Sequence, residues 1–231
     1  MIRLENLTKA YWYKGQAKYI AKGITATFPS GIPIGLLGRN GAGKSTLLQM
    51  IAGTISPDSG RVRVQGTISW PIGLAGGVHP ELSGAQNVRF IARIYGVDTE
   101  ELVDFVEDFA ELGLNFRQPV RTYSSGMRSR LNFGISMGIR FDTYLIDEVT
   151  SVGDAAFRAK SQELFDARMA SSGAILVTHS SMMLKAMCKA GAVLENGELR
   201  YFDDVDEAIE VNDRNMLGAN YASKSKVYDP T

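Results

Sequence analysis

Gly38-Arg39-Asn40-Gly41-Ala42-Gly43-Lys44-Ser45-Thr46 is the stretch that decides the fold. It follows Ile32–Leu37, a short apolar run that reads as a buried strand, and it runs into Ser45–Ala52, which reads as a helix closed by Gly53. Residues 38–45 fit GxxxxGK[ST], and the strand–loop–helix order is the context in which that pattern has physical meaning. Gly38, Gly41 and Gly43 can take dihedrals closed to other residues, so the loop can turn its backbone N–H groups inward. Those donors and the helix N-terminus make an anion cradle. In such a cradle Lys44 reaches the β- and γ-phosphates of a nucleotide, and Ser45 offers its hydroxyl to Mg²⁺.

The chain around this loop alternates strand and helix. Upstream, Ile2–Leu7 and Ile20–Phe28 read as strands of an antiparallel part, with Tyr11–Lys18 as the loop joining them and Pro29–Gly31 as a turn. Arg61–Val64 reads as a strand after the Pro57–Gly60 turn. Apolar residues at helical spacing then run from Ala85 to about Leu112, which makes this stretch a helical insertion. Strand signals return at Tyr144–Ile146, Ala174–Val177 and Ala192–Leu194, with helical stretches between them. The expected class is α/β, with a mainly parallel sheet covered on both faces. Past about Asn212 the sequence turns polar and reads as a tail that frays.

Composition sets the limits. The chain has 231 residues, 45% of them hydrophobic, which is enough for a packed core and excludes wholesale disorder. Lys+Arg and Asp+Glu both number 25, so binding nucleic acid through a generally basic surface is not expected. The one cysteine, Cys188, cannot form an internal disulfide, and a reducing compartment is the simplest setting. The longest uncharged stretch, Val64–Pro80, is too short and too often interrupted by Gly and Pro to span a bilayer. The N-terminus has no signal-peptide pattern.

Three further elements carry chemistry. Thr143–Ile146 is an apolar strand that ends in Asp147 and Glu148. Carboxylates at the carboxyl end of a parallel strand can hold Mg²⁺ (Asp147) and polarise an attacking water (Glu148). Tyr123-Ser124-Ser125-Gly126 is a small-residue turn that opens a helix. By itself it is an ordinary serine N-cap, and it is also a second anion-binding helix start. His179 follows the apolar run Ile175–Val177 and by position faces the same nucleotide, although a lone histidine there is as often structural.

Taken in order, GRNGAGKST (residues 38–46), YSSGMRSRL (residues 123–131), TYLIDEVTSVGD (residues 143–154) and LVTHS (residues 176–180) resemble the phosphate-loop, signature, acidic-strand plus D-loop and switch-histidine motifs of ATP-binding cassette (ABC) ATPases. The resemblance implies an α/β P-loop NTPase (RecA-like) core, an N-terminal antiparallel β part and an inserted helical subdomain at about 78–135, in a single cassette with a polar tail from about 213 to 231. It implies ATP and Mg²⁺ as ligands, Glu148, His179 and Lys44 as catalytic residues, and Tyr11 as the aromatic that stacks on adenine. The family works as a head-to-tail dimer with ATP enclosed between two copies. Ser124, Ser125, Gly126 and the D-loop Asp154 would thus meet the nucleotide held by the partner copy.

A narrower resemblance rests on Ile68–Gly77 together with the signature and acidic-strand segments, which are similar to the ATPase subunit of Gram-negative capsular polysaccharide exporters. It implies a cassette lying peripherally on the cytoplasmic face of the inner membrane. A separate permease would dock near Trp70, Ile72 and Leu74. The alternatives are an ABC ATPase of an O-antigen, teichoic-acid, lipid or drug exporter and, ranked last, a P-loop small-molecule kinase. The segment Trp70–Gly77 has no glutamine where the wider family places one toward Mg²⁺, Ser125 replaces a signature glycine, and Met127 replaces a signature glutamine.

Overall fold

The computed structural model of the chain describes residues 1–72, 78–147 and 154–225, with side chains through residue 217. They fall into two units. One holds Met1–Pro71, Asp142–Glu148 and Ser172–Thr231, and the other Ile72–Phe141 and Val149–Ser171.

The first unit contains two sheets. Strands β1 (Ile2–Tyr13), β2 (Gln16–Phe28) and β4 (Ser59–Val64) form an antiparallel sheet in the order β2-β1-β4. The stretch read from sequence as a loop, Tyr11–Lys18, is instead strand on both sides of a two-residue turn. Tyr13 pairs with Gln16, and Lys14 and Gly15 have φ of 47° and 78°. Two successive positive φ values make the tight turn whose twist matches the flanking strands, so pairing runs to the tip.

The second sheet has six strands in the order β5-β6-β7-β3-β8-β9, where β3 is Pro33–Leu37, β5 Ile68–Ile72, β6 Thr143–Asp147, β7 Gly173–Val177, β8 Ala190–Glu195 and β9 Glu198–Phe202. The β6–β7, β7–β3 and β3–β8 pairs are parallel, and β9 returns antiparallel on β8. Every residue of β6 and β7 is buried, as strands of a sheet covered on both faces must be. Thr67, just before β5, is clamped to Asp142, just before β6. Asp142 Oδ2 accepts from Thr67 N at 2.7 Å and from Thr67 Oγ1 at 2.9 Å. Those two bonds hold the Asp142 carboxyl below its ordinary pKa.

Helix α1 (Lys44–Ile51) lies in this unit, and its Leu47, Leu48, Met50 and Ile51 join Leu36, Leu145, Ile175 and Val177 in one apolar core. Helices α6 (Ser181–Met187) and α7 (Val205–Ser225) complete the unit. The helix α7 continues well past Asn212, where the sequence reads as a fraying tail. Val205, Ala208, Ile209 and Asn212 are buried along one stripe of it, and that packing carries the helix into the polar stretch.

The second unit is helical, with α2 (Gly84–Tyr95), α3 (Thr99–Ala110), α4 (Ser125–Gly138) and α5 (Ala155–Ser171). The start signals are local. Ser83 and Gln86 form a reciprocal capping box on α2, Asp98 caps α3 by accepting from Glu101 N, and Ser124 caps α4 by accepting from Met127 N. Phe109 is the centre of the core here, with the rings of Phe105, Phe133 and Phe157 at 5.8, 5.9 and 5.2 Å between centroids.

Candidate functional site

The phosphate-loop glycines Gly38, Gly41 and Gly43 have φ of 147°, 76° and 105°, and Ala42 N closes the turn on Arg39 O at 3.0 Å. Gly43 is the N-cap of α1 and offers no side-chain cap, so the first N–H groups of that helix point at the loop. A side chain at either Gly43 or Gly38 would be strained by its positive φ and crowded by its neighbours. A methyl built on Gly43 would lie 2.3 Å from Ile20 Cγ2, and one on Gly38 would lie 2.3 Å from Leu194 O. The Lys44 ammonium is folded over the loop and donates to Gly38 O at 2.7 Å and Arg39 O at 3.2 Å.

A cleft of about 400 Å³ opens over this loop. It is lined by Tyr11, Lys18, Ile20, Asn40, Gly41, Gly43, Lys44, Ser45, Thr46, Asp147, Val177 and His179. Strand β1 contributes Tyr11, the carboxyl end of β6 contributes Asp147, and His179 sits just past the carboxyl end of β7. This is where a parallel sheet gathers its ligand-binding groups. Asp147 is 8% exposed, and its Oδ2 has no hydrogen-bond partner among the described residues. A buried carboxylate oxygen left open beside a serine hydroxyl in an anion cradle fits a divalent cation. Ser45 and Asp147 are the residues that would hold it. Such an ion would neutralise phosphate charge.

Sequence reading misses three of the lining residues, Lys18, Ile20 and Val177. No simple periodicity marks the first two, because the ladder shifts register at Ile20; Lys18 is placed by its pairing with Tyr11, which becomes readable once Tyr11–Lys18 is recognised as strand.

The remaining candidates lie elsewhere. Gly38, Arg39 and Ala42 belong to the loop but do not line the cleft. Ser124, Ser125 and Gly126 start α4 in the second unit; both serines are exposed, and a methyl on Gly126 would meet only Ser124 Oγ, at 3.9 Å. Asp154 is also in the second unit. Its carboxylate accepts from Phe157 N at 3.0 Å and from Arg130 Nη2 at 2.7 Å, and its pKa is lowered first by the bond from Phe157. Glu148 and Leu74 lie outside the described residues. Trp70 and Ile72 belong to β5 and not to a loop, and Ile72 is 6% exposed, so its side chain is core. Gln86 is taken up in the capping box, where it accepts from Ser83 N at 2.9 Å.

A strand–loop–helix cradle with a lysine over it, a histidine after the adjacent parallel strand and a carboxylate at the end of the strand beyond that one defines a P-loop nucleotide-binding α/β protein. The chain belongs to the ABC transporter family, whose model matches residues 21–151. It is 50% identical over 212 residues to the polysialic acid transport ATP-binding protein KpsT of Escherichia coli, covering 90% of this chain and 97% of that protein. It is 43% identical over 211 residues to the capsule polysaccharide export ATP-binding protein CtrD of Neisseria meningitidis serogroup B, covering 91% and 97%. Among solved structures, a dimeric ATP-binding cassette in a post-hydrolysis state with ADP and Pi matches with a TM-score of 0.71 at 20% identity, covering 87% of this chain and 97% of that one. No helix among the described residues is long and apolar enough to cross a membrane.

Proposed function

We propose that this chain is the ATP-binding and ATP-hydrolysing subunit that powers export of a capsular or related cell-surface polysaccharide across the inner membrane through a separate permease. The observation that carries the reading is the match, nearly end to end, to ATP-binding proteins of polysialic acid transport and capsule polysaccharide export. An ABC ATPase of an O-antigen, teichoic-acid, lipid or drug exporter is the second reading.

The ligands are ATP and Mg²⁺. Tyr11 stacks on the base, the loop Gly38–Thr46 holds the phosphates, and Ser45 with Asp147 holds the ion. Glu148 orients the attacking water, and His179 faces the γ-phosphate. One copy leaves the terminal phosphate accessible to water. A second copy, arriving head to tail with Ser124, Ser125, Gly126 and Asp154, covers it, and the exclusion of water strengthens every charge interaction on the transferred group. The exposed Ser124 and Ser125 at the start of α4 support that reading. ATP then favours the closed pair over the open one, and this difference in affinity is what drives the permease. The chain lies on the cytoplasmic face of the membrane. The permease docks near Trp70 and Leu74, and the buried Ile72 is not part of the contact.

Two experiments test this. Purified protein should hydrolyse ATP without an added phosphate acceptor; strict dependence on a small-molecule acceptor would make it a kinase. In its own cells, Lys44→Ala should abolish surface polysaccharide while the polymer accumulates inside. Normal surface polymer in that strain would end the export reading.

A further inference from the structure

We infer that Lys18 is a second phosphate-binding cation of the cleft, placed on the phosphate loop by the strand that carries it. The inference rests on the nucleotide reading of the cleft and adds to it a residue outside the loop and outside every motif in the sequence.

Strand β2 lies over the loop. Ile20 is 5% exposed and covers Gly43, where a methyl would come within 2.3 Å of Ile20 Cγ2. Two residues earlier, Lys18 directs its ammonium at Gly41, and a methyl built there would lie 3.6 Å from Lys18 Nζ. Ile20 is the extra residue at a register shift, between the Lys9–Ala21 and Ala10–Tyr19 pairs, and both it and Lys18 line the cleft. Burial of Ile20 fixes where the Lys18 stem begins. Across the ladder Lys18 is paired with Tyr11, and both line the cleft. Lys18 thus stands between the aromatic wall and the middle of the loop, where the polyphosphate of a nucleotide passes.

Charge points the same way. No Asp or Glu occurs between Glu5 and Asp58, and Glu5, the one carboxylate of the β1–β2 hairpin, is paired with Arg61 and Arg63. Asp147 is the one carboxylate among the described lining residues, and a divalent cation fits beside it. Lys18 is exposed, so in the free protein its charge is solvated at little cost. On nucleotide binding the ammonium meets phosphate oxygens, and charge-assisted contacts of that kind are about twice as strong as neutral ones. Contact with the phosphates and not the base makes the contribution grow from AMP to ATP.

The test is calorimetric titration of the full-length chain with ATP, ADP and AMP, in wild type, Lys18→Gln, Lys18→Arg and Lys44→Ala. Lys18→Gln should weaken ATP binding by about tenfold and AMP binding by less than about twofold. Lys18→Arg should return ATP affinity to within about threefold of wild type. The melting temperature of the ligand-free Lys18→Gln protein should match wild type, because the side chain is solvent-exposed. The inference is overturned if Lys18→Gln binds ATP like wild type, or loses ATP and AMP equally, while Lys44→Ala loses ATP. If Lys44→Ala also binds ATP normally, the nucleotide reading of the cleft fails, and the role of Lys18 fails with it.

Discussion

Arg130 on α4 donates to Asp154 across 2.7 Å, so the serine-capped turn that opens α4 and the start of α5 are held together by one guanidinium. The same guanidinium lies 4.4 Å from the Phe157 ring and 3.8 Å from the Glu111 carboxylate, which also pairs with Lys160 at 2.7 Å. The stem of Arg130 is mostly covered, and its packing on Phe157 is part of what it contributes. Arg130→Ala should destabilise the chain by about 1 kcal/mol in urea unfolding. It should also reduce ATP turnover while leaving ATP affinity within about twofold, since Arg130 does not line the cleft. Turnover equal to wild type would leave the contact a purely structural one.

Gly43 and Ile20 are coupled by shape. Gly43→Ala places a methyl 2.3 Å from Ile20 Cγ2 at a φ of 105°, and should cost about 1–3 kcal/mol along with most of the ATP affinity. Ile20→Ala alone should cost about 2–4 kcal/mol through the cavity it leaves. The double variant relieves the crowding, so its loss should fall short of the sum of the two by more than about 0.5 kcal/mol. Additive losses in urea unfolding would mean that the two residues do not meet.

The clamp between Asp142 and Thr67 gives a pH dependence of known sign. The Asp142 carboxyl is held below its ordinary pKa by the Thr67 N–H and hydroxyl. Its contribution to stability is therefore fully present above roughly pH 4, the unfolded-state value, and is lost as pH falls through the lower folded-state value. Asp142→Asn should flatten the fall in stability below roughly pH 4 and leave its pH dependence near neutrality unchanged. Acid unfolding curves that superimpose would remove Asp142 from the acid limb.

Glu148→Gln should cut ATP turnover by about a hundredfold or more, because the water loses its orienting base, with ATP affinity nearly intact. With ATP and Mg²⁺ the variant should elute as a dimer in gel filtration. Wild-type turnover would exclude Glu148 from the chemistry.

Much of this was legible in the residues. The strand before Gly38, the loop and α1 follow from apolar runs and glycine spacing, and the same runs mark β6, β7 and β8 as buried strands. What was not legible has local causes. Tyr11, Trp12 and Tyr13 are exposed in β1, so they lack the apolar alternation that marks a half-buried strand, and the tight turn at Lys14-Gly15 was hidden in polar sequence. The strand β9 is only five residues long, too short for its alternation to stand out, and its place is set by pairing with β8. Ile72 looks like a surface contact in a Gly-rich apolar segment, yet the strand β5 carries it into the interior. Lys18 belongs to no motif. Its position follows from three-dimensional register with Tyr11 and from the burial of Ile20, neither of which a lone lysine announces.

The contact of Ile20 with Gly43 ties the opening of the hairpin to that of the first turn of α1. When β2 lifts away, Ile20 leaves with it, and the amides that begin the helix lose their cover. In native-state hydrogen–deuterium exchange, amides 43–46 should therefore lose protection together with those of 18–22, as one cooperative opening and not as two independent fraying events.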